Sequence, residues 1–290
     1  MHNMDVACFT VNPWEQWKIV LPTPLLMEVL KLYHIILGHS VIQRLYDTVR
    51  ARFHDDGLHK QCIATVRYCP NECQREKDNG RQYGNLLPRD AGYSPFETVA
   101  VNLIGPWKLK VGRVSLEFNA LTCIDPVTDL TEAIRIKNKT SKHISEQFQK
   151  SWLSRYPRPV YCIHDRGVEF ICEPFQTMLT YFGLKAKPTT AKNPTANAIC
   201  ERMHHTVGDI LRAIKAKISG EDEAEQAVYN SLYTCMHALR CAVNHTMQTS
   251  PVALVFHRDI LATEKCTTWM LPVSLSILGS NGRLYFQLHY

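Results

Sequence analysis

Asp165-Arg166-Gly167-Val168-Glu169-Phe170, then a helix-like run and a short apolar run, then Asn193-Pro194-Thr195-Ala196-Asn197-Ala198-Ile199-Cys200-Glu201, form the stretch whose reading decides the fold. Residues 166–200 separate its two carboxylates, Asp165 and Glu201. Pro159 to Ile163 is a strand-like apolar run, which predicts Asp165 near the carboxyl end of a strand. Asn193-Pro194 opens a helical pattern, and Glu201 falls about two turns into it. Carboxylates at a strand end and on a nearby helix can converge on one hard divalent cation. Mg²⁺ or Mn²⁺ fits such a place, since hard cations take oxygen ligands and Mg²⁺ usually keeps several waters. In two-metal sites such pairs clamp the attacking and leaving oxygens of a phosphoryl displacement.

Upstream of this stretch, apolar runs at Thr98 to Ile104, Val114 to Ile124 and Leu130 to Lys137 predict three strands. Asp125-Pro126-Val127-Thr128 is a turn between the last two, so the three form an antiparallel meander. Ser141 to Arg155 follows as a helix, capped by Thr140 or Ser141, with Ile144, Phe148, Trp152 and Leu153 as its apolar stripe. Val160 to His164 is a fourth strand, Glu173 to Phe182 a helix, Leu184 to Lys187 a fifth short strand, and Thr195 to Lys217 a long helix. Residues 221–245 read as one more helix. Antiparallel strands followed by strands alternating with helices predict an α/β fold, a mixed five-stranded sheet flanked by helices.

Ahead of the sheet, residues 23–78 read as a small metal-stapled helical domain. Leu26, Val29, Leu30, Tyr33 and Leu37 make one apolar face, with His34 and His39 at its end. Cys69 and Cys73 follow about thirty residues on, and two His with two Cys are a tetrahedral Zn²⁺ ligand set. So short a segment buries too little core alone, so metal binding would supply much of its folding free energy. Cys62 stands as an alternative ligand, and His54 and His59 read as loop residues.

Composition sets the remaining bounds. The 290 residues carry a net charge of +6 and a pI near 8.7, which suits a polyanionic partner. Lys187, Lys192, Asn193 and Arg202 lie near Glu201 in the sequence and are candidates to touch phosphates. Eleven scattered cysteines and no basic segment followed by a long apolar run predict reduced thiols in a nuclear or cytoplasmic protein. The longest apolar patch, Met270 to Leu278, is broken by Pro272, Ser274 and Ser276, so no membrane span is expected.

These motifs together resemble a known family. Asp-x-Gly-x-Glu-Phe followed by Asn-Pro-x-x-Asn-Ala-x-x-Glu-Arg is similar to the catalytic core of integrases from gypsy-type long-terminal-repeat retrotransposons, in the retroviral integrase superfamily. His34-x4-His39 with Cys69-x3-Cys73 resembles that family's zinc signature, one residue longer between the cysteines. Thr249-Ser250-Pro251-Val252-Ala253-Leu254-Val255-Phe256-His257-Arg258-Asp259 resembles its closing motif, with His257 where Gly is usual. The resemblance implies an RNase H-like fold and metal-dependent 3′-end processing and strand transfer on DNA. It implies a triad of two Asp and one Glu, in which Asp165 and Glu201 fill the second and third places. Asn102 stands where the first Asp is expected, so catalysis is expected to be impaired. It also implies that the chain self-associates into a homo-oligomer.

The expected organisation is a lead-in over 1–22, the zinc-binding domain over 23–78, a polar linker over 79–95, the catalytic core over 96–260 and an atypical tail over 261–290. Such a tail is what a degenerate or truncated copy would carry. The alternative is a non-catalytic nucleic-acid-binding or self-associating module derived from an integrase. A different RNase H-like nuclease is a third reading, which the zinc-like preface disfavours.

Overall fold

A computed structural model describes residues 5–9, 18–70, 73, 94–111, 114–189, 203–204, 206–210, 221–260, 273–275 and 285–288. The chain divides into two compact units, residues 75–240 and residues 1–74 with 241–290.

The first of these is built on a five-stranded sheet. Its strands are β3 (Thr98–Val111), β4 (Val114–Ile124), β5 (Thr131–Ile136), β6 (Tyr161–His164) and β7 (Lys185–Pro188), in the spatial order β5-β4-β3-β6-β7. β4 runs antiparallel to both β3 and β5, whereas β6 lies parallel to β3 and to β7. This is the mixed sheet of the α/β fold that the alternation of runs predicts. β3 extends past its expected end at Ile104, through a register shift between Ile104 and Trp107. Gly105 makes the shift possible: its φ is +111°, and a Cβ there would sit 2.8 Å from the Phe118 carbonyl oxygen.

Period-two alternation sorts the strand residues onto two faces. Val99 and Val101 of β3, Leu121 and Cys123 of β4 and Cys162 of β6 bury one face. They pack against α4 (Ser141–Phe148), the π-helical turn Gln149–Leu153, α5 (Val168–Ile171) and α6 (Glu173–Tyr181), through Ile144, Phe148, Trp152, Phe170, Phe175 and Leu179. Thr140 caps α4, its hydroxyl accepting from the His143 N–H, while the expected single helix to Arg155 turns π-helical from Gln149. Ala100, Ile104, Phe118, Ala120 and Ile124 bury the opposite face. Met203, Val207 and Ile210 of a helical segment (203–204 and 206–210) cover it, with Val228, Leu232 and Met236 of a long helix at Glu221–Cys241. The remainder of the predicted Thr195–Lys217 helix lies outside the described residues.

At one edge of this unit Glu132 is a buried charge hub. It meets Arg240 at 2.5 Å and Arg155 at 3.5 Å and accepts from the Tyr156 hydroxyl at 2.5 Å. Burial, reinforced by that hydrogen bond, pushes the Tyr156 phenol up to about 12.

The other unit holds the three helices α1 (Thr23–Ile36), α2 (Ile42–Arg50) and α3 (Leu58–Arg67). Leu26, Leu30, Leu37, Leu45, Val49 and Val66 form its core, joined by Cys241 and Ala242 from the later segment. The Val243 N–H donates to Thr48 Oγ1 at 3.0 Å, His245 Nδ1 meets Asp47 Oδ2 at 3.0 Å, and Arg52 pairs with Asp259. Ser250 caps the helix Pro251–Phe256 by accepting from the Ala253 N–H, which accounts for the Ser-Pro of the closing motif. His59, read as a loop residue, sits in the first turn of α3. The sequence shows no period over residues 1–22, yet β1 (Asp5–Phe9) and β2 (Lys18–Val20) lie there. They join β8 (Val273–Leu275) and β9 (Tyr285–Leu288) in a four-stranded sheet ordered β2-β1-β9-β8.

Trp152 is fully buried between helix and sheet. Trp152→Ala is expected to cost about 3–5 kcal/mol of stability, seen as a lower denaturant midpoint with an unchanged slope.

Candidate metal centre and strand-end site

His34 lies in the last turn of α1, and the helix closes through Gly38 and His39, both in the left-handed region at φ 62° and 56°. That reversal turns the His39 ring back toward His34, with ring centroids 5.0 Å apart at 86°. Cys69 follows the end of α3, and Cys73 lies four residues on. All four side chains are buried, and their ligand atoms lie within 4.8 Å of one another. Cys69 Sγ is 3.4 Å from His39 Nδ1, and Cys73 Sγ is 3.4 Å from His34 Nε2. Tetrahedral zinc with Zn–S about 2.3 Å and Zn–N about 2.0–2.1 Å needs S···N separations of about 3.5 Å. Two thiolates and two imidazoles therefore fit Zn²⁺ in both geometry and charge, as the ordered ligand set predicts. Cys62 is not part of the group. It is a core residue of α3, and burial pushes its thiol up to about 12, which suits a neutral hydrophobe rather than a ligand.

The second site lies at the carboxyl ends of β3 and β6. Their parallel register pairs Val101 with His164, the last residue of β6, and Asn102 and Asp165 are the next residues along the two segments. Alternation puts Asn102 on the face of Ala100 and Ile104, the face on which Ile163 of β6 also packs. Asp165 Oδ1 accepts from the Gly167 N–H at 2.9 Å, and Oδ2 has no hydrogen-bond partner among the described residues. A Cβ on Gly167 would lie 2.8 Å from the Glu169 carboxyl carbon and 3.0 Å from Asp165 Oδ1, so both carboxylates crowd this position. Asn102 Oδ1 accepts from the Leu103 N–H at 2.8 Å. This leaves the amide NH₂ as the group turned away from the main chain. Asp125 is no substitute for an acid at 102. Its carboxylate is buried in its own turn, accepting from Phe96 N–H, Val127 N–H and the Thr128 hydroxyl.

Two histidines at this site carried no signal as functional residues in the sequence. The Asp165 carbonyl oxygen lies 2.7 Å from His164 Nδ1 and accepts its proton, with the ring buried against Phe170 and Phe175. His204, three residues after Glu201, packs its Nε2 3.3 Å from Thr122 Oγ1, and Thr122 pairs with Asn102 across β3 and β4. Burial lowers the His204 pKa to about 4, so the ring is neutral at pH 7. Of the candidate phosphate contacts, Lys187 sits on β7 with Nζ 3.4 Å from the Tyr161 ring centroid. Glu201, Lys192, Asn193 and Arg202 lie outside the described residues.

The buried four-ligand centre predicts one equivalent of zinc per chain, measured by elemental analysis. Co²⁺ exchanged into it should give thiolate charge-transfer absorption that Cys73→Ser weakens and Cys62→Ser leaves intact. Zinc removal by a chelator should unfold α1–α3, read as loss of helical circular dichroism.

The metal centre has counterparts among known proteins. Residues 21–79 match the integrase zinc binding domain family. Over 179 residues, 61% of this chain, the sequence is 25% identical to the retrovirus-related Pol polyprotein from transposon 412 of Drosophila melanogaster. The matched region is 14% of that polyprotein, so the chain spans only a small part of this relative. A chain in the cryo-EM structure of the simian T-cell lymphotropic virus intasome in complex with PP2A regulatory subunit B56 gamma aligns with a TM-score of 0.53 at 13% identity. The alignment covers 87% of this chain and 78% of that one, a likeness of fold. The catalytic core domain of BIV integrase aligns with a TM-score of 0.41 at 15% identity, covering 60% of this chain and 99% of that one. The chain is thus similar to the integrase zinc binding domain family over residues 21–79 and to part of a retrovirus-related Pol polyprotein.

Proposed function

We propose that this chain is a retrotransposon integrase of the gypsy type, built for 3′-end processing and strand transfer on DNA, and that Asn102 leaves it catalytically impaired. The observation that supports this reading is the parallel β3–β6 register, which pairs Val101 with His164, the residues just before Asn102 and Asp165. In this reading Asp165 and Glu201 hold the divalent cation. Bound there, Mg²⁺ or Mn²⁺ supplies charge neutralisation and polarises the phosphodiester. Asp165 keeps Oδ2 for this task while the Gly167 N–H orients Oδ1.

Asn102 supplies neither a negative charge nor a second oxygen. Its one oxygen already accepts from Leu103, and its NH₂ is a donor that cannot ligate a cation. An aspartate at 102 would keep the Leu103 bond with one oxygen and present the other, so the fold accommodates the change. Lys187, Lys192, Asn193 and Arg202 bind phosphates of the element ends and target. Lys187 lies on β7 beside β6, with its ammonium group over the Tyr161 ring. A homo-oligomer working in the nucleus or cytoplasm completes this reading.

Strand transfer on matched terminal-repeat DNA, in Mg²⁺ or Mn²⁺, tests the proposal. Restoring about 4 kcal/mol of transition-state stabilisation raises the rate about a thousandfold, so Asn102→Asp should show a gain of that order. Equal activity of the unmodified chain and Asn102→Asp would remove the lesion from the account. DNA affinity should fall linearly in log–log form with salt, at a slope of about −0.9 per phosphate neutralised on duplex DNA. A flat dependence would exclude phosphate-led binding.

A further inference from the structure

We infer that His204 is a positioning residue that, through the Thr122 hydroxyl, holds the main chain at position 102. The inference rests on the proposed role of residue 102. Thr122 Oγ1 lies 3.0 Å from the Asn102 carbonyl oxygen and 3.3 Å from His204 Nε2. A carbonyl only accepts, so the single hydroxyl proton of Thr122 points to it. Thr122 must then accept from His204, which requires the proton on Nε2. The relay therefore has one direction: His204 Nε2–H to Thr122 Oγ1–H to the Asn102 carbonyl.

The relay crosses three segments. His204 belongs to the helical segment described at 203–204 and 206–210, Thr122 to β4, and Asn102 to β3, where Asn102 and Thr122 are direct cross-strand partners. Met203 and Val207 flank His204 in sequence and pack on the same sheet face, so the half-buried ring lies against that face and is partly screened from water. A hydrogen bond shielded in this way strengthens, and a neutral imidazole there keeps its donor without the cost of a buried charge. The relay also links the segment that follows Glu201 to the strand that carries residue 102. A rotation of the 102 peptide would swing the side chain at 102 relative to Asp165, and the relay opposes that rotation. His164 treats the Asp165 carbonyl similarly from the opposite face. Both neighbouring strand ends are thus held by their main chains, leaving their side chains for chemistry.

The test uses the full chain in two arms. In the first, histidine-¹⁵N-labelled protein is examined by NMR, with the His204 signal assigned by its loss in His204→Phe. The expected signature is a neutral ring protonated on Nε2, shifted by Thr122→Val but not by Thr122→Ser. Leu103 amide hydrogen exchange should quicken in Thr122→Val and His204→Phe while thermal unfolding shows both folded. A ring protonated on Nδ1, or no change at Leu103, overturns the inference. In the second arm the same changes are made in Asn102→Asp protein. Thr122→Val should lower strand-transfer kcat by about tenfold to a hundredfold, the scale of a misplaced group, with DNA affinity unchanged. Adding His204→Phe should lower it no further, and Thr122→Ser should retain activity. Full kcat in Thr122→Val overturns the positioning role. If Asn102→Asp is itself inactive, the proposed function fails, and the NMR arm still decides the relay.

Discussion

The parallel pairing of β3 with β6 is the constraint on which the strand-end site depends. Antiparallel strands can be joined by a short turn, but a parallel pair needs a crossover, and here α4 and the π-helical turn supply it. The crossover buries Phe148 and Trp152 on one face of the sheet, which leaves the other face for the helices that follow. The same pairing fixes register, and register fixes chemistry. A slip of one residue would exchange Asn102 for a core residue such as Val101 and send Asp165 to the wrong face. Hydrophobic alternation in β3 and β4 therefore protects the site as well as the core.

The zinc centre depends on a different constraint. Three short helices enclose a small core, and the ligands come from the end of one helix and from beyond the end of another. Metal coordination joins these ends where burial alone would supply too little free energy. The left-handed pair Gly38 and His39 is the local device that makes this geometry reachable.

Much of this architecture is legible in the amino-acid sequence. Elements with strong periodicity, such as β4, α1 and α6, stand close to where their apolar residues predict them. The four zinc ligands are legible because His and Cys at such spacing share one chemistry. Asp165 is legible from its place after an apolar strand. What stays hidden depends on long-range contact. Thr122 and His204 are ordinary residues in sequence, and only the β3–β4 register with the covering helix makes them partners of Asn102. Cys62 reads as a ligand by residue type and as a hydrophobe by its surroundings. β1 and β2 carry no period because a small sheet made from distant segments needs little local signal.

The four-stranded sheet has a consequence for the order of assembly. β1 pairs with β9, matching Asp5 with Gln287 and Ala7 with Tyr285. During synthesis β1 leaves the ribosome long before its partner exists, whereas the segments of the five-stranded sheet emerge together between them. The middle of the chain can therefore consolidate as a unit while β1 waits with its edge unpaired. Contacts so distant in sequence close slowly, because loop entropy must be spent before pairing returns it. Translation thus delivers β9 to a chain whose five-stranded sheet has already had time to form.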